Sequence, residues 1–467
     1  MNRSRRKFLI NTGIVSVGFF GLNSFVSNIV DNHSTEGIGF GALRHQPGDI
    51  LGLPEGFSAK IISRKGDQMT DGLLSPGSHD GMGVFRTDSN RIILVRNHEL
   101  LPGNALAGPF GADSSLSKKL DKEMIYDYGN GQEICVGGTT SLVYNEQIQQ
   151  VESEYLSLVG TVRNCAGGIT PWGSWITCEE TQLKAGEVEG ALEKDHGFNF
   201  EVVATKKTGI QKPVPLKDMG RFVHEAVAVQ PKTGIVYQTE DSGDGIFYRF
   251  LPNEYGKLAK GGRLQALVIN EWPSADTRNW ENLKTERFPE KKQFEVSWIE
   301  LDDVQAPESD LRLRGFQKGA ARFSNAEGIW YGKDELFFAC TAGGRNGKGQ
   351  IFKYIPSKYE GQSNEKKAPG KIELFLEPND VEIFQSCDNL TIAPWGDVVI
   401  CEDKQNARVI GITPAGKTYV IARNIGYPKS EFAGPVFSPS GNTLFINIQN
   451  PGLTLAITGP WNKRASA

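Results

Sequence analysis

The sequence lacks the short motifs of two common hydrolase classes, and it lacks a strong charge of either sign. It contains neither a G-x-S-x-G elbow nor an H-E-x-x-H pair, so an acyl-enzyme mechanism and a helical zinc site lose their usual sequence support. The 51 Lys and Arg residues nearly balance the 55 Asp and Glu residues, for a net charge of −4. No basic stripe follows the N-terminal segment, so we expect no nucleic-acid partner.

The N-terminus carries an export pattern. The stretch Ser4-Arg5-Arg6-Lys7-Phe8-Leu9 has twin arginines, and a Gly-containing apolar run follows from residue 10 to residue 30. We predict recognition by the twin-arginine export machinery and a periplasmic or extracellular protein. Residues 1–40 would then be the signal, or a membrane anchor, because no A-x-A cleavage site is evident. No linker divides the remainder, so we predict one domain over residues 41–467 and a monomer.

Cysteine is scarce, with six residues in a chain of 467. An even count in an exported chain usually indicates disulfides. Cys178, Cys340 and Cys401, however, end apolar runs, where a free thiol behaves as a small buried apolar group. Cys165 stands among polar residues at the start of such a run. It is therefore a candidate disulfide partner, an inert thiol or a metal ligand.

The sequence is rich in glycine, with 54 residues, and a hairpin unit recurs along it. Each copy has a polar pair, a short apolar strand, a turn with Pro, Gly or Asn, a second apolar strand and a polar end. The copies begin near His79, Asn164, His224, Asn325, Cys387 and Gly434. Turn residues of these types favour hairpins. Six hairpins predict an all-β fold, a six-bladed β-propeller whose innermost strands surround a central channel.

The polar ends of these hairpins are evenly spaced. Fourteen residues separate Cys165 from Glu179, fifteen separate Glu225 from Glu240, and fourteen separate Asp388 from Glu402. A hairpin of two five-residue strands returns to its starting edge over about that length. The opening and closing polar residues of each hairpin should therefore lie on one rim. Solvated hairpin ends are the alternative, since Asp, Asn and Glu are common there.

The rim would carry an unusual number of acids. The candidates are Asp80, Glu99, Cys165, Glu179, Glu180, Glu225, Glu240, Asp241, Glu327, Asp388, Glu402 and Asp403. Carboxylates a few ångströms apart raise each other's pKa, and bound cations are the usual compensation. Oxygen donors favour Ca²⁺ or Mg²⁺, whereas a thiolate among them favours a softer transition metal. Metal-assisted hydrolysis is the chemistry that such a ring predicts.

Several stretches resemble one family. The segment NCAGGITPWGSWITCEE at 164–180 closely resembles the hallmark stretch of PhoX-type bacterial alkaline phosphatases. Further similar stretches are GRFVHEA at 220–226, YQTED at 237–241, DNL at 388–390 and FAGPVFSPSG at 432–441. The resemblance runs from about residue 41 to residue 461. It implies a propeller with ferric iron and calcium at the channel mouth, twin-arginine export and a phosphomonoester substrate.

The resemblance also implies roles for particular residues. Cys165 would bind iron, and Glu225, Glu327 and Asp388 would bind iron or calcium. Glu179 and Glu240, at the ends of their hairpins, complete the predicted metal ligands.

Three residues are predicted to act on the substrate phosphate. Asn389 would lie near it, and Asn325 occupies a position where family members commonly carry a phosphate-facing Arg. Asparagine donates a hydrogen bond there but brings no charge. Arg322, about one turn away, is the candidate to supply that charge.

Two other functions fit the same ring. A calcium-dependent, lactonase-like propeller hydrolase would hold one calcium ion and no iron. A binding propeller without catalysis would hold little metal, or metal without turnover, and Asn325 is the one residue that points to it.

Overall fold

A computed structural model gives the fold and describes residues 37–88, 90–131, 133–187 and 192–465. Residues 1–36 of the predicted export segment lie outside the described part of the chain. Within the described part of the chain, no helix is long and apolar enough to cross a membrane.

Strands dominate the described residues. The first are β1 (Leu43–Arg44), β2 (Leu51–Pro54), β3 (Ser58–Arg64), β4 (His79–Arg86), β5 (Arg91–His98), β6 (Gly137–Asn145), β7 (Gln150–Thr161), β8 (Asn164–Ile169), β9 (Ser174–Glu179) and β10 (Asn199–Val203). Next come β11 (His224–Val229), β12 (Val236–Glu240), β13 (Gly245–Ile246), β14 (Tyr248–Pro252), β15 (Gly262–Ile269), β16 (Gln293–Glu300), β17 (Arg322–Phe323), β18 (Ala326–Tyr331), β19 (Leu336–Cys340), β20 (Gln350–Ile355) and β21 (Lys371–Leu376). The last are β22 (Cys387–Ile392), β23 (Val398–Glu402), β24 (Arg408–Ile412), β25 (Thr418–Asn424), β26 (Phe432–Phe437), β27 (Thr443–Ile448) and β28 (Leu453–Thr458).

Helical structure is confined to short segments. The described α-helix is α1 (Leu311–Gln317). The 3-10 turns are Ala105–Ala107, Ser115–Lys119, Lys122–Met124, Gly129–Gly131, Lys217–Met219, Leu258–Lys260, Glu365–Lys367 and Trp461–Lys463.

The predicted hairpins are present as antiparallel pairs. They are β4–β5, β8–β9, β11–β12, β18–β19, β22–β23 and β26–β27. The first strands of these hairpins contact one another in a closed cycle, in the order β4, β8, β11, β18, β22, β26 and back to β4. The all-β class and a propeller-like arrangement are therefore confirmed.

The sequence predicts six separate blades, but the hydrogen-bonded sheets do not form six. Among the described strands, four sheets have four or more strands, with orders β1-β2-β25-β24-β23-β22, β11-β12-β14-β15-β16-β21-β20-β19-β18, β26-β27-β28-β3 and β4-β5-β6-β7. A further sheet, β10-β9-β8, has three strands, and β13–β17 is a pair. The six hairpins lie in five sheets because β16 bonds to both β15 and β21, which fuses two hairpin units into the nine-stranded sheet. One of the five, β10-β9-β8, has three strands.

The two ends of the described chain close the ring together. Strand β3 pairs antiparallel with β28, from Ser58 opposite Thr458 to Arg64 opposite Leu453. An early strand thus completes the sheet that the last hairpin begins. A propeller-like arrangement of this kind leaves only short, protected sheet edges, which limits pairing with other chains.

Stacked aromatic rings fill the space between neighbouring units. Phe247 stacks on Phe338 with ring centroids 4.7 Å apart, and Phe338 stacks on Phe352 at 5.2 Å. All three are fully buried. Because aromatic pairs contribute beyond their buried area, the contact between Phe247 and Phe338 helps to hold two adjacent units together.

One stretch matches the pattern of a phosphate-binding loop but does not form one. Residues 411–418 read G-I-T-P-A-G-K-T, and such a loop leads from a strand into a helix. Here Gly411 and Ile412 end β24, and the chain turns directly into β25 at Thr418. The stretch is a hairpin turn, which offers no helix N-terminus to a nucleotide.

A β-bulge recurs at the same place in every predicted hairpin. The register shifts lie between His79 and Met82, Asn164 and Gly167, His224 and Val227, Ala326 and Ile329, Cys387 and Leu390, and Ala433 and Val436. A bulge adds an unpaired residue and redirects side chains, and it is common beside active sites. The bulge therefore breaks the regular alternation of side chains at the same point of each first strand.

Candidate metal centre

The bulges place chemically similar residues at equivalent positions. The residue that follows the last pair before each shift is Asp80, Cys165, Glu225, Glu327, Asp388 or Gly434. We call the first five the bulge ring. Gly434 completes the cycle without a side chain: its φ is 60°, and a Cβ there would lie 2.6 Å from the Asp80 backbone oxygen. The ring therefore has five donors and one gap.

A second set of acids stands directly behind the bulge ring. Each of them comes directly after the last residue of the second strand of a hairpin: Glu99, Glu180, Asp241 and Asp403. We call these four the outer acids. Gln449 bridges the two sets, because its Nε2 donates to Asp80 Oδ2 and Glu99 Oε2 at 2.9 Å each.

The donor atoms are close enough to share cations. Cys165 Sγ lies 3.4 Å from Glu225 Oε1 and 3.6 Å from Asp80 Oδ1. Ligand atoms of Cys165, Glu180 and Glu225 lie within 4.8 Å of one another, and those of Glu225, Glu327 and Asp388 form a second group of the same size. Glu225 belongs to both groups and joins a thiol-containing site to an all-oxygen site.

Burial and mutual repulsion raise the pKa values of acidic side chains in the bulge ring. Burial, and next the Glu99 charge, raises the pKa of Asp80 to about 8. Burial and the Asp388 charge raise the pKa of Glu225, while burial and Asp241 raise that of Glu327. Burial and the surrounding acids, Asp80 first, also raise the pKa of the Cys165 thiol. These groups cannot all ionise together unless positive charge is supplied.

Arg163 supplies only part of that charge. Its guanidinium donates to Glu99 Oε1 at 2.6 Å and to Glu180 Oε2 at 2.5 Å. Burial disfavours its charge, but Glu180 and Glu99 raise the pKa of Arg163 on balance. The bulge ring, the outer acids and the nearby Glu431 together hold nine carboxyl groups and the Cys165 thiol. Arg163 pairs with two of these carboxyl groups.

The residues fit metal ions. Glu225 is fully buried, and its Oε2 has no hydrogen-bond partner, a costly state for a carboxylate oxygen unless a cation binds it. The thiol, with carboxylates around it, suits a transition metal, whereas Glu225, Glu327 and Asp388 suit calcium. Cys165 forms no disulfide, which removes that alternative for it.

Glu179 and Glu240 do not join this group, contrary to expectation. Glu179 accepts the backbone N–H groups of Val162, Gly197 and Phe198 at 2.8 to 3.1 Å. Glu240 accepts the Tyr248 hydroxyl at 2.7 Å within its own sheet. Neighbouring residues of a strand point to opposite sides. Glu179 and Glu240 therefore point into the protein interior, while the acid after each of them, Glu180 or Asp241, points toward the channel mouth.

Glu179 instead belongs to a buried structural triad. Its Oε1 lies 2.6 Å from His196 Nδ1, and His196 Nε2 lies 3.2 Å from Asp127 Oδ2. All three side chains are fully buried. Although burial opposes the charge, the Glu179 carboxylate and the Asp127 hydrogen bond raise the pKa of His196.

Replacement of Glu179 by Gln should therefore cost stability and spare the metals. Breaking one partner of a buried ion pair destabilises a protein by about 3–5 kcal/mol. We expect a loss of that size in the free energy of unfolding, measured by denaturant titration. Iron and calcium content of the folded variant should equal that of the wild type. Loss of metal at unchanged stability would place Glu179 among the ligands after all.

The predicted phosphate-contacting residues lie at different distances from the group. Asn389 is internal to it, because its Nδ2 donates to Asp388 Oδ1 at 3.0 Å and its Oδ1 accepts the Gly434 N–H at 2.7 Å. Asn325 borders it, with Nδ2 donating to Asp241 Oδ1 at 2.7 Å. Arg322 lies outside it and stacks on Phe316, 3.7 Å from the ring centroid.

Three residues of the site were missed by sequence reasoning. Arg163 and Gln449 contact the acids directly. Glu431 shares a hydrogen bond with Asp403, and burial and that hydrogen bond raise the pKa of Glu431. Arg163 and Glu431 stand immediately before first strands of hairpins, β8 and β26. A charged residue at that position is the signal that was available.

Comparisons with known proteins point to one family. The sequence model of the family described as alkaline phosphatase PhoX matches residues 38–452. A search of the curated proteins finds no match. The structure of Pseudomonas fluorescens PhoX in complex with vanadate, a transition state analogue, is similar with a TM-score of 0.63 and 18% identity, covering 90% of this chain and 98% of that chain.

A gluconolactonase from Xanthomonas campestris also aligns, over 89% of this chain and 99% of that chain. Its TM-score of 0.37 and identity of 11% carry no argument about fold or function. The family match spans most of the sequence. The chain therefore belongs to the alkaline phosphatase PhoX family and is a phosphomonoester hydrolase.

Proposed function

We propose that the bulge ring and the outer acids hold ferric iron and calcium and that the protein uses them to hydrolyse phosphomonoesters outside the cytoplasm. The observation that carries this proposal is the sharing of Glu225 between the Cys165 group and the all-oxygen group. A carboxylate common to both groups would help to hold two unlike ions close together.

The two donor groups suggest how the ions divide. Cys165, Glu180 and Glu225 would hold iron, because the thiolate prefers a transition metal. Glu225, Glu327 and Asp388 would hold calcium, which favours carboxylate oxygens. When bound, such ions polarise phosphoryl oxygens and lower the pKa of a coordinated water.

The chain's own residues orient the ligands and the substrate. Asn389 is a positioning residue, since its amide holds Asp388 and its carbonyl is held by the Gly434 N–H. Asn325 uses one amide N–H on Asp241, and its second N–H is the donor we assign to the substrate phosphate. Arg163 holds Glu99 and Glu180 in place through its guanidinium.

We also propose that six units surround the channel even though two of them share a sheet. The closed cycle of contacts among the first strands supports this reading, as does the bulge in each hairpin. Residues 41–467 would then form one propeller domain, and the protein would act as a monomer. Arg5 and Arg6 support export by the twin-arginine machinery to the periplasm or beyond.

Phosphate release from an aryl phosphate tests the function. Full-length exported protein, loaded with iron and calcium, should hydrolyse p-nitrophenyl phosphate at alkaline pH and lose that activity after chelation. Restoring both ions should return it, and a simple lactone should not be turned over. Lactone turnover with calcium alone would favour the lactonase-like alternative, and metal-loaded protein inert toward phosphomonoesters would favour a binding propeller.

A further inference from the structure

Arg322, three residues before Asn325, carries a guanidinium without a polar partner among the described residues. Among the described residues, its side chain makes no hydrogen bond and no ion pair, and its buried Nε is unsatisfied. Its stacking on Phe316 holds the planar group in a fixed orientation. A positioned but unpaired guanidinium is a costly arrangement unless an anion binds it.

Two more arginines surround the same spot. Arg278 forms a bidentate pair with Asp276, with Nε at 2.8 Å from Oδ1 and Nη2 at 2.6 Å from Oδ2. Arg312, on α1, donates from Nε to Asp244 at 2.7 Å. We call Arg278, Arg312 and Arg322 the arginine group.

Arg278 and Arg312 are each ion-paired with a carboxylate, Asp276 and Asp244. The Glu240 charge also acts on Arg312, whereas Arg322 forms no ion pair with any described residue. Burial and the Arg278 charge lower the pKa of Arg322, as expected for neighbouring cations. Arg322 is therefore the member of the group whose donors are free for an anion.

The arginine group adjoins Asn325, the residue that we propose binds the substrate phosphate. Arg278 Nη1 donates to the Gly243 backbone oxygen at 2.9 Å, and the Asn325 amide oxygen lies 3.8 Å from the Cβ position of Gly243. Asn325 N–H also donates to the backbone oxygen of Ser242 at 2.9 Å. Arg322 stands three residues before Asn325, so their Cα atoms lie within about 10 Å.

We propose that the arginine group is a subsite for a second anionic group of the substrate, with Arg322 as its binding residue. The inference rests on the proposed function, because the first anionic group is the phosphate held at the metal centre. The preferred substrates would be small phosphomonoesters that carry a carboxylate or a second phosphate a few bonds from the scissile one. A phosphomonoester without a second anionic group would leave the subsite without a ligand.

A matched pair of substrates tests the subsite. 3-Phosphoglycerate and glycerol 3-phosphate share a three-carbon skeleton and differ by a carboxylate. Wild-type protein should hydrolyse 3-phosphoglycerate with the higher kcat/KM. Arg322→Gln should lower kcat/KM for 3-phosphoglycerate by roughly ten- to a hundredfold, mostly through KM, since a hydrogen bond to a charged group is lost. It should change the value for glycerol 3-phosphate by no more than about twofold.

The control is Arg263→Gln, which removes a surface arginine paired with Glu300 and should alter neither substrate. Equal kcat/KM for the two substrates in the wild type, or an equal loss on both in Arg322→Gln, would overturn the subsite. If the wild type hydrolyses neither, the phosphatase proposal itself fails, and calorimetric binding of 3-phosphoglycerate then decides. Weaker binding in Arg322→Gln would keep the anion subsite, and unchanged binding would refute it.

Discussion

Replacement of Glu225 by Gln is expected to lower kcat for phosphomonoester hydrolysis by about 10³-fold or more. Glu225 contributes to both donor groups, so its loss weakens the iron site and the calcium site together. Metal ions contribute several kcal/mol of transition-state stabilisation, and each 1.36 kcal/mol is tenfold in rate. The measurement is turnover of p-nitrophenyl phosphate together with the iron and calcium content of the purified protein.

The same variant should be at least as stable as the wild type once both are stripped of metal. Burial and the charges of Asp388 and Asp80 raise the pKa of Glu225, so a neutral amide relieves repulsion. Glu240→Gln is the matched control, since Glu240 lies on the same hairpin opposite His224 but bonds to Tyr248. It should keep its metals and its activity. Full activity in Glu225→Gln would show that the shared carboxylate is not a ligand.

Replacement of Cys165 by Ser should remove iron selectively and lower activity by about 100-fold or more. Serine has nearly the same shape but is not a thiolate, which is the donor that attracts the transition metal. The all-oxygen group of Glu225, Glu327 and Asp388 stays intact. We therefore expect calcium to be retained while iron per chain falls toward zero, as measured by elemental analysis.

Cys178→Ala serves as the control for this change. Cys178 lies thirteen residues further along the same hairpin, but its side chain is buried in an apolar cluster with Ile176 and Phe222. Loss of its sulfur should lower the melting temperature slightly and leave both metals in place. An iron content unchanged by Cys165→Ser, with this control also unchanged, would mean that the thiol has no part in the centre.

The repeat of hairpins was predictable because turn chemistry and strand length are local properties of the chain. Their polar ends were expected on one rim, and the structure brings Cys165, Glu225, Glu327 and Asp388 together there. The bulges explain why these particular residues converge, and a strict two-residue alternation does not reveal a bulge. The sixth position, Gly434, was included in the repeat, but its lack of a donor follows from its close approach to Asp80.

Where two acids are adjacent in the sequence, it was harder to predict which of them faces the channel mouth. In Glu179-Glu180 and Glu240-Asp241 either acid can face the mouth, because a shift of one residue exchanges the two sides of a strand. The structure turns the first acid of each pair inward, where backbone N–H groups or Tyr248 bind it. The sheet merger through β16 was also hidden, since it depends on contacts between strands far apart in the sequence.

The central claim is that the bulge ring and outer acids form a centre for two kinds of metal ion. Elemental analysis of full-length protein, exported and purified without chelators, tests it most directly. The account predicts iron and calcium together, both lost on chelation and both required for phosphate release. Active protein that contains neither iron nor calcium would contradict it.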